Sequence, residues 1–266
     1  MLESQTPPLR GLILDMDGVL WKDMSPIGDL HMIFDHIRAR DIKVVLATNN
    51  ATSTIEEYLV KLRGFGVSLE PWQIVTSADA VSHALLKAYP KKGAVFVVGE
   101  NGLISALCGN GFDPITDPEN ETPVIAVVGG IDHSLTYQKL RRAASHIRAG
   151  AAFYGTNPDA TFPTPKGLVP GAGSILAAIE TAAEVKPIVI GKPSPFMFEL
   201  SAERMGLGKD EILVVGDRLE TDIAGGQGVG CRTALVLSGV STLKQSREWK
   251  PAPDFVVNDL AELVAL

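Results

Sequence analysis

Cysteine is nearly absent from this chain of 266 residues: Cys108 and Cys231 stand far apart, and neither belongs to a CxxC pair. A disulfide scaffold and a cysteine-based zinc cluster are thereby excluded. The five histidines, His31, His36, His83, His133 and His146, show no metal-ligand spacing, so they offer no zinc site either. Aromatic residues make up only 6% and are scattered, too sparse for a base-stacking surface. A formal net charge of −7 gives no basic footprint for nucleic acid or an anionic membrane. No apolar run approaches the ~18 to 20 residues that span a bilayer, and the opening MLESQTPPLR lacks the apolar core of a signal peptide. The expectation is a cytoplasmic protein with neither nucleic acid nor membrane as partner.

What is present is the balance of a globular protein, with 45% hydrophobic and 21% charged residues. Short aliphatic runs recur: GLILD at 11–15, KVVLATN at 43–49, AVFVVG at 94–99, VIAVVGG at 124–130, ILVVGD at 212–217 and RTALVL at 232–237. Amphipathic helical patterns lie at 29–40, 53–64, 76–88, 135–148, 173–184 and 195–205. Such alternation predicts an α/β fold with parallel sheets covered on both faces. Gly66 and Gly206 stand where helices should stop, and Pro195 stands near a first turn. Polar clusters of catalytic character fall in 15–50 and 190–222, whereas 80–186 carries strands and helices without one. An inserted domain is expected, with 1–77 and 187–266 forming the core and 78–186 the insert.

Asp15 and Asp17 end an apolar run, and residues two apart on a strand project to one side. Ligands of open α/β sheets bind beyond the carboxyl ends of strands, so chemistry is expected there. A second acidic strand end, VVGD followed by RLETD, adds Asp217 and Asp222. Oxygen-only ligands of this kind suit a hard cation such as Mg²⁺ rather than Zn²⁺. For a carboxylate to attack a phosphate ester, each like-charge pair at ~4 Å costs about 4 kcal/mol at an effective dielectric near 20. Thr48, Asn49 and Asn50, between a strand and a helix, can form an anion cradle, and Lys192 in IGKPSP supplies a point charge.

The order of DMDGV at 15–19, TNN at 48–50, GKPSP at 191–195 and VGDRLETDIAGG at 215–226 resembles the four motifs of the haloacid dehalogenase (HAD) superfamily of phosphohydrolases. The segment GTNPDATFPTPKGLVPGAGSILAAIE at 155–180 is similar to the cap-to-core passage of its subclass IIA, the 4-nitrophenylphosphatase-like members. The resemblance implies a Rossmann-like HAD core with a parallel sheet and an inserted α/β cap domain. It implies that Asp15 is a nucleophile that becomes a phosphoaspartate, and that Asp17 is the general acid and base. Mg²⁺ would be held by the carboxylates of Asp15 and Asp217 and the main-chain oxygen of Asp17, with Asp222 in a second layer or acting through water. Thr48, Asn49 and Lys192 would hold the phosphoryl oxygens. Asn50, Arg218 and Thr221 are further candidates for substrate contact.

The glycines of GGQGVG at 225–230 do not match a dinucleotide fingerprint and read as a turn. Asn157 and Asp159 of GTNPD are candidate specificity residues as well as ordinary turn formers. The expected activity is a Mg²⁺-dependent phosphomonoesterase acting on a small-molecule phosphate ester, such as a phosphorylated sugar, a nucleoside monophosphate or phosphoglycolate. A phosphomutase on the same scaffold and a non-catalytic phosphate- or metal-sensing module are the alternatives. Relatives of subclass IIA often pair through their caps, which makes a homodimer a further expectation.

Overall fold

The computed structural model of the chain describes residues 7–164 and 167–265. The opening MLESQT, Pro165 and Lys166 of the 155–180 segment, and Leu266 lie outside the described residues. Contacts divide the chain into two compact units. The first takes the chain up to Thr48, Ile55–Val75, and everything from Lys192 onward; the second takes Asn49–Thr54 and Thr76–Gly191. The second unit is thus wider than 78–186, and it includes the short loop that follows Thr48.

Six strands of the first unit's sheet run in the order Phe255–Val257, Arg232–Val236, Ile212–Gly216, Gly11–Leu14, Lys43–Thr48 and Ile74–Thr76. Gly11–Leu14 lies at the centre and pairs in parallel with both neighbours, Leu14 standing opposite Val215 on one side and Leu46 on the other. The sequence reads as continuous apolar runs because both faces are covered. Leu12, Leu14, Leu46, Leu213 and Val215 are buried in one core, joined by Leu30, Ile33, Phe34 and Ile37 from the helix Leu30–Ala39. Burying each such side chain stabilises the fold by about 1.5–3 kcal/mol before entropy is counted. That helix starts where Asp29 accepts a hydrogen bond from the Met32 amide at 3.1 Å. The helix Pro195–Met205 has Pro195 in its first turn and stops at Gly206, whose φ of +64° is the left-handed cap glycine tolerates. Parallel pairing brings the carboxyl ends of Gly11–Leu14, Lys43–Thr48 and Ile212–Gly216 to one edge of the sheet, with Asp15 and Asp217 immediately beyond it.

The second unit has its own five-stranded sheet, in the order Ile188–Val189, Ala152–Gly155, Ala126–Gly129, Ala94–Val98 and Asp113–Ile115. Its core combines Phe96, Val98, Val127 and Phe153 with Leu176 and Ile179 of the helix Ala172–Ala183. An antiparallel pair, Thr161–Thr164 with Gly167–Pro170, extends from it. Among the described residues no helix is long and apolar enough to cross a membrane.

Candidate active site

The parallel register continues one residue past its central strand, where the Asp15 amide donates to the Val215 carbonyl at 2.9 Å. This holds Asp15 at the sheet edge. Lys192, only 3% exposed, reaches the same place from the loop before Pro195–Met205. Its Nζ donates to Asp15 Oδ1 at 2.6 Å, Asp222 Oδ1 at 2.7 Å and the Ala47 carbonyl at 2.8 Å. These contacts hold the ammonium in place between the two carboxylates. Asp222 sits on a π-helical turn, Leu219–Ile223, and its second oxygen accepts the Arg218 amide at 3.2 Å. Gly216 is what lets the two segments approach, since a Cβ there would overlap the Asp222 carboxylate.

Asp217 is held by residues the motif reading did not single out. Its Oδ2 accepts the Val240 amide at 2.7 Å, and its main-chain oxygen accepts the Ser241 amide at 2.9 Å. The Ser241 hydroxyl in turn accepts the Leu219 amide at 3.1 Å. Gly18, at φ +84°, and Gly239 make room on the carboxylate's flanks, because a Cβ at either would run into Asp217. Ser238 closes the strap by donating to the Gly18 carbonyl at 2.6 Å. The other oxygen, Asp217 Oδ1, is buried and has no hydrogen-bond partner among the described residues.

Asp15, Asp217 and Asp222 each present an oxygen, all within 4.8 Å of one another. At that separation each like-charge pair costs roughly 3 to 4 kcal/mol at an effective dielectric near 20. Among the described residues the Lys192 ammonium contacts Asp15 and Asp222, and Arg218 acts on Asp217 from nearby, so three carboxylates outnumber the cations beside them. Burial above all pushes the Asp15 carboxyl up to about 8; Lys192 pulls it back less strongly, and Asp222 and Asp217 add to the rise. Burial, then Asp222, likewise push Asp217 up to about 6 against the Val240 amide, Arg218 and Lys192. Burial works to lower the Lys192 ammonium's pKa, but the facing Asp15 and Asp222 carboxylates outweigh it and hold it well above its ordinary value. An all-oxygen donor set, a surplus of negative charge and an orphaned buried oxygen together fit a hard divalent cation.

The other expected residues are distributed differently. Asp17 does not join the three-carboxylate group; it is exposed, and its Oδ1 accepts the Trp21 indole N–H at 2.9 Å. Strand geometry ends at Leu14, so the alternation that would have aimed Asp15 and Asp17 alike has already given way to a turn. Thr48 closes its strand and is buried. Asn49 and Asn50 belong to the second unit: the Asn49 amide donates to Asp159 Oδ2 at 3.1 Å, and Asn50 Oδ1 accepts both the amide and hydroxyl of Thr52, at 2.9 and 2.7 Å. The helix expected to start beside them begins only at Ile55, after that turn. Asn157 shares the same acceptor, donating to Asp159 Oδ2 at 2.6 Å. Arg218 contributes its amide to Asp222, and Thr221 lies on the same π-helical turn. Trp21 and the 238–241 strap are the residues the motif reading missed; GVLW just after Asp17 was the available signal for the first.

Sequence models of the haloacid dehalogenase-like hydrolases match residues 12–113, and a second HAD-hydrolase-like model matches residues 189–263. An acid sugar phosphatase of Staphylococcus aureus is 34% identical over 256 residues, covering 96% of this chain and 97% of that protein. Among solved structures, a p-nitrophenyl phosphatase from Archaeoglobus fulgidus superposes with a TM-score of 0.90 at 30% identity, over 97% of this chain and 99% of that one. A glycerol phosphate phosphatase from Mycobacterium tuberculosis in complex with magnesium gives 0.87 at 32% identity, over 96% of this chain and 76% of that one. Fold, motif order and relatives define an enzyme of the phosphatase class. The chain belongs to the HAD superfamily, in subclass IIA with the 4-nitrophenylphosphatase-like enzymes.

Proposed function

We propose that this enzyme hydrolyses small-molecule phosphate monoesters with Mg²⁺, through a phosphoaspartate on Asp15. The observation that carries the reading is Lys192 shared between Asp15 and Asp222, beside the buried Asp217 carboxylate, one oxygen of which has no hydrogen-bond partner among the described residues. The carboxylates of Asp15 and Asp217 and the main-chain oxygen of Asp17 would hold the metal, with Asp222 acting through Lys192 and the Arg218 amide. When bound, the metal neutralises charge that would otherwise keep one anion from approaching another.

In the first step an Asp15 carboxylate oxygen attacks phosphorus, the ester P–O bond breaks, and the Asp17 carboxyl gives its proton to the leaving alcohol. In the second, Asp17 takes a proton from water as the water oxygen attacks the same phosphorus. The acyl-phosphate P–O bond then breaks, inorganic phosphate leaves, and both side chains return to their starting forms. Lys192 orients Asp15 and meets charge that grows on the phosphoryl oxygens. Thr48 and the main-chain amides of Asn49 and Asn50 are the proposed phosphate contacts, and Arg218 and Thr221 the proposed contacts to the rest of the substrate.

Sugar and polyol phosphates are the first substrates to try, because one relative is named an acid sugar phosphatase and another a glycerol phosphate phosphatase. The 78–186 insert is read as the cap that selects among them, and the cytoplasm as the compartment. The test is hydrolysis of 4-nitrophenyl phosphate and a panel of such esters by the wild type with Mg²⁺, by the wild type with EDTA, and by Asp15→Asn. Turnover is expected only in the first, together with a phosphorylated Asp15 peptide in acid-quenched enzyme. Robust turnover by Asp15→Asn overturns the covalent mechanism.

A further inference from the structure

Trp21 is 1% exposed, yet its indole N–H is spent on Asp17 Oδ1 rather than on a main-chain acceptor. The backbone is built to deliver it there. The Gly18 amide donates to the Trp21 carbonyl at 2.8 Å, the Leu20 amide returns to Met16 at 2.8 Å, and Asp17 and Trp21 form an isolated bridge. The ring itself is clamped by the helix Ile55–Gly64 and the turn after it. Tyr58 stacks on it with centroids 6.5 Å apart at 16°, and Phe65 lies at 6.0 Å. Lys61, one helical turn from Tyr58, places Nζ 4.0 Å from the ring centroid while donating to the Asp23 carbonyl at 3.0 Å. A buried indole needs an acceptor for its N–H, but any carbonyl would satisfy it.

The choice of acceptor has a chemical consequence. An indole N–H can only donate, so the carboxylate oxygen it points at cannot direct a proton back along the same line. With Oδ1 engaged, Oδ2 is the oxygen left for exchange with a bound group. That oxygen accepts no hydrogen bond from the described residues, and Asp17 is exposed. We propose that Trp21 is the positioning residue of the acid–base step: by reserving Asp17 Oδ1 it fixes the carboxyl rotamer and leaves Oδ2 as the oxygen that gives and takes the proton. The inference rests on the acid–base role given to Asp17 under the proposed function.

Leaving-group dependence separates positioning from general damage. A 4-nitrophenolate departs without a proton, whereas an alkoxide needs one, and kcat/KM reports the step in which the ester bond breaks. The wild type, Asp17→Asn and Trp21→Phe are compared on 4-nitrophenyl phosphate and glycerol phosphate. For Trp21→Phe, kcat/KM on glycerol phosphate is expected to fall roughly tenfold further than on 4-nitrophenyl phosphate, the size of one charge-assisted hydrogen bond, in the direction set by Asp17→Asn. Should Trp21→Phe fold poorly, a benzothiophene ring in place of the Trp21 indole keeps the shape and removes only the donor, and the same ratio is read. Equal losses on both esters, or none, in a folded variant while Asp17→Asn discriminates would overturn the positioning role. If Asp17→Asn itself shows no discrimination, the acid–base reading falls, and this inference with it.

Discussion

The burial of Asp217, with Asp222 beside it, should be visible as a pH dependence of stability in the metal-free enzyme. Asp217 is 1% exposed and its carboxyl is raised from 3.8 to about 6, chiefly by burial and next by Asp222. A carboxyl with a folded pKa above its unfolded value binds its proton more tightly in the native state. Its contribution is therefore fully present below about pH 4 and is lost as pH rises through about 6. The gap corresponds to roughly 3 kcal/mol, or about 6 to 12 °C in the melting temperature of a domain of this size. Asp15, raised to about 8 mainly by burial, adds loss of the same sign at higher pH. The assay is a melting series in EDTA from pH 4 to pH 8, repeated with Mg²⁺ and with Asp217→Asn. Mg²⁺ should stabilise the wild type more at pH 8 than at pH 5, and Asp217→Asn should flatten the EDTA slope. Identical slopes for wild type and Asp217→Asn would refute the reasoning.

Lys192→Met removes the one ammonium that Asp15 and Asp222 share, and should lower kcat by about 10²–10³, as loss of a donor to developing transition-state charge does; an unchanged kcat with a raised KM would mean that Lys192 only binds substrate. Gly239→Ala drives a methyl into the Asp217 carboxylate without touching Lys192, so Mg²⁺ affinity measured by calorimetry should fall about tenfold or more while the Lys192 contacts persist; unchanged affinity would show that Asp217 can move aside at no cost.

Much of the first unit's sheet was legible because a strand covered on both faces must be continuously apolar. GLIL, KVVLA and ILVVG announce themselves for that reason, and Asp15 and Asp217 stand where those runs end. Strands of two or three residues, such as Asp113–Ile115 and Ile188–Val189, carry no period and could not be read. The burial of Lys192 was hidden as well: GKPSP looks like a surface loop until Ala47, Asp15 and Asp222 converge on its ammonium from three distant stretches. Gly239 and Val240 serve Asp217 only because the strand Arg232–Val236 pairs beside Ile212–Gly216 and returns the chain to that edge, a matter of topology rather than local pattern. The placing of Asn49 and Asn50 with the second unit follows from acceptors such as Asp159, 110 residues away.

Locating Mn²⁺, a stand-in for Mg²⁺, by its anomalous scattering in a crystal of the wild-type enzyme would test the account most directly. One peak is predicted with a carboxylate oxygen of Asp15 and Oδ1 of Asp217 both within about 2.2 Å of it. A peak that touches only one of those side chains, or that lies away from both, would contradict it.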